Sequence, residues 1–280
     1  MSSSSAGDGP TISRRHAAGA DSARGLLLTV LGEYVLPTGG SAWTSAFIDA
    51  LGRLGVEEKA TRQALTRTAS DGWLTSTRNG RRTEWTVSAS GRQLLTDDAA
   101  RINGFTGAQP DWDGRWLLVL ARVPETDRAA RHLMRTRLSW AGLGSPAPGV
   151  WISTHVDRAD EAERVLAQAG VLADAQLFTA RHHAGGKLTT MVRQAWDLDA
   201  IESAYERFLV DFSRQPSRDP FVRLSQLVHT WRRFPLIDPA LPAQLLPKWW
   251  CGARAAALFH RRRTQWSAAA TAAWQEIVAG

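Results

Sequence analysis

Cysteine is almost absent from this sequence, since Cys251 is the single one among 280 residues. One thiol excludes an internal disulfide and fits a protein of the reducing cytoplasm. No apolar run approaches the roughly 18 residues that a membrane-spanning helix needs, so no such helix is expected. A glycine-rich phosphate loop and a nucleophile elbow, motifs of two large enzyme classes, are also missing. Neither catalytic residues nor a cofactor are therefore predicted.

Acidic residues are scarce in two regions of a chain whose net charge is +7. Residues 59–82 contain six Lys or Arg against one Asp, and residues 214–263 contain ten against two. Two separate basic regions indicate two contacts with polyanions, or one with nucleic acid and one with a phosphate-bearing ligand. For the second region, solvated surface arginine explains the pattern equally well.

The start of the chain predicts a tail followed by two helices. Residues 1–22 are rich in Ser, Gly and Ala and lack the apolar core of a signal peptide, which predicts a disordered tail. Helical spacing predicts a first helix over residues 23–36, ended by the segment 37–40. Ser41 or Thr44 can cap a second helix. The apolar residues that this helix turns inward are Trp43, Phe47, Ile48, Leu51 and Leu54.

The most informative segment, residues 56–87, predicts a third helix, a turn at Gly72 and a two-stranded ribbon. Strands are expected over residues 73–77 and 83–87, because Asn79-Gly80 is the strongest two-residue hairpin signal. A further helix is expected over residues 90–101. Three helices and a hairpin predict a winged helix-turn-helix domain over residues 23–102. The inward face of the third helix is formed by Thr61, Ala64, Leu65 and Thr68.

The outward face of the third helix carries residue types that read DNA. Arg62 can reach a guanine edge or a phosphate, and Gln63 can read adenine. Lys59 lies near the helix start and fits a phosphate contact, which positions the protein without specifying sequence. The predicted DNA-binding residues of the helix and the ribbon are Lys59, Ala60, Arg62, Gln63, Thr66, Arg67, Arg78, Arg81 and Arg82.

Three questions stay open for this segment. Arg67 can instead fold back against Asp71 or the ribbon and hold the helix in place. The ribbon arginines suit the phosphate backbone or an adjacent minor groove. The whole segment can also serve protein contacts alone.

The middle of the chain predicts a small ferredoxin-like α/β domain over residues 112–214. The nearly continuous apolar run over residues 114–123 predicts a buried strand. Strands over residues 149–155 and 175–181 alternate with helices over residues 125–143 and 158–169, and a helix over residues 199–214 follows. The remainder, residues 218–280, predicts a helical domain interrupted by prolines.

Residues that could carry chemistry are few. His155, His182 and His183 follow predicted strands, but they lack metal-ligand spacing with carboxylates or cysteines, so no metal site is predicted. Cys251 is expected to be a buried, inert thiol.

Three blocks of the sequence resemble the PaaX family of phenylacetate-catabolism repressors. They are LLLTVLGEYVLPTGGSAWTSAFIDALGRLGVEEKATRQALTRTASDGWL, WDGRWLLVLARVP and DPALPAQLLPKWWCGARAAALF. Within the first, VEEKATRQALTRTASDGWL also resembles the recognition helices of winged-helix repressors of the GntR type. The blocks span nearly everything after the tail, and the last two are the more specific, because helix-turn-helix patterns recur widely.

The resemblance implies a homodimeric repressor with a winged helix, a ferredoxin-like centre and a helical C-terminal domain for effector binding or dimerisation. The central domain is similar to small CRISPR-associated nucleases, which keep a metal-binding Asp at the end of their first strand. Val123-Pro124 stand at that point here, so nuclease activity is not expected. Asp111 and Asp113 precede the strand and are interpreted as turn residues.

The effector that the resemblance implies is an aryl-CoA thioester, typically phenylacetyl-CoA. Coenzyme A brings phosphate charges and an adenine that stacks on aromatic or guanidinium planes. The tryptophans can equally fill a core, and the run Arg261-Arg262-Arg263 can equally be a solvated helix face or a DNA phosphate contact. The predicted effector-binding residues are Trp231, Arg232, Arg233, Lys248, Trp249, Trp250 and Arg254.

The sequence therefore predicts a cytoplasmic, non-enzymatic repressor of an aromatic catabolic operon. It would bind double-stranded operator DNA and be released by an aryl-CoA or acyl-CoA thioester. The alternative is a nucleic-acid-processing or CoA-ester-processing enzyme built on the central domain.

Overall fold

The computed structural model of the protein describes residues 22–107, 112–124 and 126–280. Within these residues the chain is a mixture of helices and two antiparallel sheets, which confirms the α+β class. It divides into two units. The first unit contains the described residues up to Phe105, Asp211–Arg233 and Leu258–Gly280, and the second contains Thr106–Val210 and Phe234–Ala257. The predicted tail, residues 1–22, lies outside the described residues except for Ser22.

Helices and strands are numbered here along the chain. The helices are α1 Ala23–Val30, α2 Thr44–Arg53, α3 Glu58–Ser70, α4 Ala89–Gly104, α5 Arg128–Trp140, α6 Ala159–Gln168, α7 Leu188–Ala195, α8 Leu198–Ser213, α9 Pro220–Trp231, α10 Phe234–Ile237 and α11 Gly252–Ala279. The strands are β1 Ser41–Trp43, β2 Leu74–Asn79, β3 Arg82–Val87, β4 Arg115–Leu120, β5 Gly144–Ala147, β6 Val150–Ser153 and β7 Gln176–Arg181. Among the described residues, no helix is long and apolar enough to cross a membrane.

The first unit opens with α1, α2 and α3, which confirms the three predicted helices. The Ser22 hydroxyl caps α1 by accepting a hydrogen bond from the Gly25 amide at 3.0 Å. A π-helical turn, Leu31–Val35, extends this helix. In α2 the side chains of Phe47 and Leu51 are fully buried, as predicted. The remaining predicted inward residues, Trp43, Ile48 and Leu54, are half-buried.

The three-stranded sheet of the first unit has the order β1-β3-β2. Asn79 pairs with Arg82, so Gly80 and Arg81 form the two-residue turn of the ribbon. The turn thus lies one residue later than the predicted Asn79-Gly80. Gly80 has a φ of 59°, a left-handed backbone conformation that such turns require.

Strand β1 was not predicted, and it replaces the expected cap of α2. Trp43 occupies the N-cap position without a side-chain hydrogen bond. The Ser41 hydroxyl donates instead to the Glu84 carboxylate at 2.7 Å, and the Thr44 hydroxyl donates to the Thr83 carbonyl at 3.0 Å. Both hydroxyl groups therefore form hydrogen bonds with residues of β3 and do not cap the helix.

The core of the first unit combines the start and the end of the chain. The rings of Tyr34, Phe221 and Trp274 pack together, with centroids 4.9 to 6.2 Å apart. The Tyr34 hydroxyl lies 3.1 Å from that of Ser225. Helices α9 and α11 thereby share the core of α1, an arrangement that the sequence pattern did not predict.

The second unit contains a four-stranded sheet with the order β5-β6-β4-β7, in which all neighbouring pairs are antiparallel. Helices α5 and α6 bury one face of it around Leu117, Val119, Leu138, Trp151 and Leu166. The predicted strands β4, β6 and β7 and the two helices are confirmed. The expected first residue of α5, Glu125, lies outside the described residues. Strand β5 and helix α7 were not predicted.

The rest of the second unit packs around aromatic residues of α8, a helix that the sequence predicted. Tyr205 stacks on Phe234 with ring centroids 4.2 Å apart, and its hydroxyl donates to Asp238 at 2.5 Å. The adjacent Ala240 has a φ of 51°, and its amide donates to the same carboxylate at 2.7 Å. Residues 218–280, predicted as one helical domain, contribute to both units.

Candidate nucleic-acid interface

Helix α3 is anchored by the four residues predicted to face inward. Thr61, Leu65 and Thr68 are fully buried and Ala64 is 4% exposed, which confirms the predicted face. The Thr61 hydroxyl donates to the Glu57 carbonyl at 3.2 Å, and that of Thr68 donates to the Ala64 carbonyl at 2.7 Å. Both polar groups are thus buried with a partner. Small side chains and internal hydrogen bonds let α3 lie close against α1 and α2.

The opposite side of α3 presents the predicted contact residues to solvent. Lys59, Arg62, Gln63, Thr66 and Arg67 are exposed, and Ala60 is half-buried. This side of the helix therefore displays cationic and amide groups near each other, as a contact with base edges and phosphates requires.

Arg62 is held by a neighbour that the sequence interpretation missed. Its Nε and Nη2 atoms donate to one carboxylate oxygen of Glu58 at 2.9 and 2.7 Å. Both side chains are more than half exposed, so the pair stabilises the helix by only a few tenths of a kcal/mol, about 0.3–0.5. A base or a phosphate can therefore displace Glu58. The i, i+4 spacing of Glu and Arg was the signal that could have indicated this pair.

The brace predicted between Arg67 and Asp71 is not present among the described residues. Asp71 forms an ion pair with Arg24 from the start of α1. The Arg24 guanidinium also lies 4.8 Å from the centroid of the Trp73 ring. Arg24 therefore holds the end of α3 and the start of the ribbon, while Arg67 stays exposed. A local sequence pattern cannot predict the contact between Arg24 and Asp71, because these residues lie 47 positions apart in the chain.

The ribbon presents Arg78, Arg81 and Arg82, all of them exposed. Arg78 lies opposite Thr83 and Arg82 lies opposite Asn79. Because side chains alternate along a strand, Arg78 and Arg82 point to opposite faces of the ribbon. Arg78 is restrained by a hydrogen bond from its Nε to the Gly80 carbonyl at 3.2 Å. The ribbon therefore offers positive charge at its turn and on both faces.

Two of the predicted effector-binding residues belong to the interior of the first unit. Trp231 is fully buried and stacks on Phe259 with ring centroids 4.8 Å apart. Arg232 is 3% exposed and pairs with Asp98 at 2.8 Å. Trp231 is thus a core residue, which corrects its interpretation as a stacking surface. Arg233, next in the chain, is half-buried.

The other predicted effector-binding residues belong to the second unit. Trp249 is 65% exposed, and Lys248 and Arg254 are exposed as well. Trp250 is half-buried, donates from its indole nitrogen to the Gly107 carbonyl at 3.4 Å and packs edge-on against Tyr205. The exposed indole of Trp249 and the two exposed cations are the part of the set that can meet a ligand.

The arginine run of α11 serves the structure of the first unit. Arg262 donates to the carbonyls of Phe212 and Ser213 at 3.2 and 2.7 Å, which satisfies the last turn of α8. Arg263 pairs with Glu33 at 2.9 Å. Arg261 is exposed. The run is therefore divided between two structural contacts and one solvated side chain.

The residues considered for chemistry form no reactive site. His155 contacts the carbonyls of Pro239 and Ala240, each at 3.2 Å, and His182 and His183 are exposed. Within the described residues there is no group of three or more side chains that could hold a metal ion. Cys251 is 4% exposed, which confirms its predicted burial, and burial raises the pKa of its thiol to about 12.

Two acidic residues, Asp111 and Asp113, precede β4 in the sequence. Asp113 accepts hydrogen bonds from the backbone and side chain of Arg115, which lower the pKa of its carboxyl group. This confirms Asp113 as a turn residue. Asp111 lies outside the described residues.

Family models match three consecutive parts of the chain. A model described as PaaX-like protein matches residues 22–91. One described as PaaX protein central Cas2-like domain matches residues 109–192, and one described as PaaX-like protein C-terminal domain matches residues 196–276.

Individual proteins resemble the chain over most of its length. The transcriptional repressor PaaX of Escherichia coli K12 is 31% identical over 242 residues, which cover 81% of this chain and 75% of the relative. Among solved structures, the uncharacterized protein Rv0674 from Mycobacterium tuberculosis matches with a TM-score of 0.60 and 26% identity. The match covers 91% of this chain and 99% of that one.

Proposed function

The chain belongs to the PaaX family, and from this premise we propose that it is a DNA-binding repressor of a phenylacetate-type catabolic operon. It is a transcriptional regulator and not an enzyme. The observation that carries the proposal is α3, whose one face is fully buried while the opposite face displays Lys59, Arg62 and Gln63. A repressor of this kind acts in the cytoplasm.

In this proposal α1 to α3 and the ribbon form a winged helix-turn-helix. Helix α3 lies in the major groove, where Arg62 and Gln63 contact base edges. Arg81 and Arg82 contact phosphates at the flank, and their exposure supports this role. The pairing of β1 with β3 supports the arrangement further, because it ties the ribbon to α2.

We assign three functional regions along the chain: residues 23–102 for DNA binding, 112–214 for a ferredoxin-like domain and 218–280 for effector binding and dimerisation. The order strand, helix, two strands, helix, strand in β4 to β7 supports the second assignment. So does the position of β4 between β6 and β7 in the sheet.

The effector that we propose is an aryl-CoA or acyl-CoA thioester. Support comes from Trp249, whose exposed ring can stack on adenine, and from Lys248 and Arg254, which can pair with phosphates. Trp250 of the same unit is a secondary candidate because it is half-buried, whereas Arg233, also half-buried, belongs to the first unit.

Release from DNA follows as a population shift in a homodimer. Two copies of α3 must match two half-sites about one helical turn of DNA apart. An effector that binds better to a dimer in which this spacing is lost draws the population away from the operator.

A gel-shift titration tests the DNA-binding proposal. The full chain is titrated against the DNA upstream of its own gene and against a shuffled sequence of equal length, at moderate salt. We expect a discrete complex with the upstream DNA at concentrations well below those at which the shuffled DNA binds. Equal binding of the two sequences, or no complex, would overturn the proposal.

A further inference from the structure

Helix α5 of the second unit holds an excess of positive charge that the unit as a whole does not share. Its 13 residues include four arginines and one histidine and no acidic residue. The two segments of this unit together contain 14 Lys or Arg and 14 Asp or Glu, so their net charge is zero. A basic helix on a neutral unit indicates a local contact with a negatively charged partner.

The solvent-facing cations of α5 recur with the helical period. Arg128, Arg131, His132 and Arg135 occupy positions i, i+3, i+4 and i+7, so they lie along one side of the helix. All four are exposed, and the buried apolar residues of the helix turn the other way into the core of the unit. These four residues are called the α5 stripe below.

Two arginines of the α5 stripe are not neutralised by the fold. Within the described residues, the guanidinium groups of Arg128 and Arg135 have neither an ion pair nor a hydrogen bond. Elsewhere on the same unit Arg158 pairs with Glu161 at 3.3 Å. The charges of Arg128 and Arg135 are therefore available to a partner.

The α5 stripe does not serve the stability of its own helix. Arg131 is a like-charged neighbour of Arg128 at i+3 and of Arg135 at i+4, and such pairs destabilise a helix. Arg128 also lies in the first turn, at the positive end of the helix dipole. Asp127 caps the helix by accepting a hydrogen bond from the Ala130 amide at 2.8 Å, and its single charge cannot offset those of the stripe. A cost to the helix is explained by a gain elsewhere.

The geometry of the α5 stripe fits a regular row of phosphates. Arg128 and Arg135 are seven residues apart, which is about 10.5 Å along the helix axis. Phosphates of one DNA strand rise by about 3.4 Å each, so the stripe extends over roughly three of them. Guanidinium groups also match phosphate oxygens with paired hydrogen bonds. The stripe contains no apolar side chain, which a helix lying on a membrane would need.

We propose that the α5 stripe binds the phosphate backbone of double-stranded DNA without reading its sequence. This contact belongs to the second unit and is separate from α3 and the ribbon, so it goes beyond the proposed operator recognition. It adds affinity for any duplex, and that affinity falls as salt rises because each phosphate contact releases counterions.

The test compares two double variants of the full chain that lose the same charge. Arg128→Gln/Arg135→Gln removes the two unpaired cations of the stripe. The matched control, Arg164→Gln/Arg207→Gln, removes two exposed cations from α6 and α8 of the same unit. Glutamine has nearly the helix propensity of arginine, so both variants should keep the far-UV circular dichroism of the wild type.

Fluorescence anisotropy with a random-sequence duplex at several salt concentrations measures the binding. Arg128→Gln/Arg135→Gln should reduce the salt slope by about two, since each lost contact accounts for about 0.9, and should weaken binding at moderate salt by about tenfold or more. The control should retain the slope of the wild type. Arg128→Lys/Arg135→Lys should retain it as well, because both charges remain.

Equal slopes for the stripe variant and its control would overturn the proposal and identify α5 as a solvated face. So would an absence of wild-type binding to the random duplex. A loss confined to single-stranded DNA of the same sequence would overturn the assignment to duplex DNA. The random duplex contains no operator, so the result stands or fails independently of the proposed repressor function.

Discussion

Arg62 and Arg81 carry the same charge, yet we expect them to contribute differently to DNA binding. Arg62 lies on the outward face of α3, whereas Arg81 lies in the ribbon turn. Arg62→Ala should weaken operator binding by about 1–3 kcal/mol and relax the base preference. Arg81→Ala should weaken binding to all DNA by similar factors and lower the salt slope by about one. Fluorescence anisotropy at several salt concentrations measures both.

Arg164→Ala is the matched control, because this exposed arginine belongs to α6 of the second unit and removes the same charge. It should leave both affinities nearly unchanged. If Arg62→Ala and Arg81→Ala each reduced operator and random DNA binding by the same factor, the assigned roles would be wrong.

Asp238 makes the stability of the second unit depend on pH. Burial raises the pKa of its carboxyl to about 6, against an ordinary value of 3.8. The folded protein therefore binds this proton more tightly than the unfolded chain does. The resulting stability, roughly 2–3 kcal/mol, is fully present below about pH 4 and is lost as the pH rises through 6.

Asp238→Asn should flatten this dependence. Urea unfolding followed by circular dichroism between pH 4 and 7 gives the unfolding free energy of wild type and variant. The difference between the two should change across this range, while Asp199→Asn, an exposed change in α8, should track the wild type. Parallel curves for Asp238→Asn would refute the role of this carboxyl.

At the residue scale, the sequence correctly predicted which side chains of α3 are buried. Thr61, Ala64, Leu65 and Thr68 recur with that period, so their burial followed from the spacing alone. The pairing of Asp71 with Arg24 could not be predicted, because it depends on how α1 and α3 cross.

At the scale of elements, the contact between α4 and the start of the ribbon depends on Gly91. A Cβ atom there would overlap the backbone carbonyl of Trp73, which cannot move aside as a flexible side chain would. Gly91→Ala should lower the unfolding free energy by about 1–3 kcal/mol. Gly52→Ala, whose methyl group meets nothing within 4 Å, should be neutral or slightly stabilising. Thermal unfolding compares the two, and equal Tm values would contradict the close contact.

The long periodic helix α8 was predictable from the sequence, whereas the short strands β1 and β5 were not. The predicted helix over residues 199–214 differs from α8 by one residue at each end. Strands β1 and β5 have three and four residues, too few to show an alternating pattern. Each exists because a neighbouring strand, β3 for β1 and β6 for β5, supplies hydrogen bonds to it.

At the scale of the whole molecule, a thioester effector should stabilise the folded chain. Phenylacetyl-CoA at about 100 times its Kd should add roughly 2.7 kcal/mol to the unfolding free energy. Free coenzyme A should add less, because it lacks the acyl group. Thermal shift with a panel of acyl-CoA thioesters measures this, with Arg254→Ala expected to reduce the shift. No stabilisation by any thioester would exclude this class of effector.

The sequence pattern did not predict how the chain divides into two units. Prolines and polar connectors indicated consecutive domains, but Asp211–Arg233 and Leu258–Gly280 join the N-terminal helices in one unit. The apolar faces of these two segments are equally compatible with a separate helical domain. Only the packing of Tyr34 against Phe221 and Trp274 decides where those faces are buried.

In the proposed DNA-binding role, the ion pair between Glu58 and Arg62 has a kinetic consequence, because such a protein must find one site among many. On random DNA a phosphate must displace the Glu58 carboxylate to gain Arg62, so such encounters are short-lived. Short encounters let the protein sample more positions in a given time. A base edge that accepts two hydrogen bonds from Arg62 repays the lost ion pair most fully. This acidic neighbour is worth only about 0.3–0.5 kcal/mol, so it shortens random encounters by roughly a factor of two.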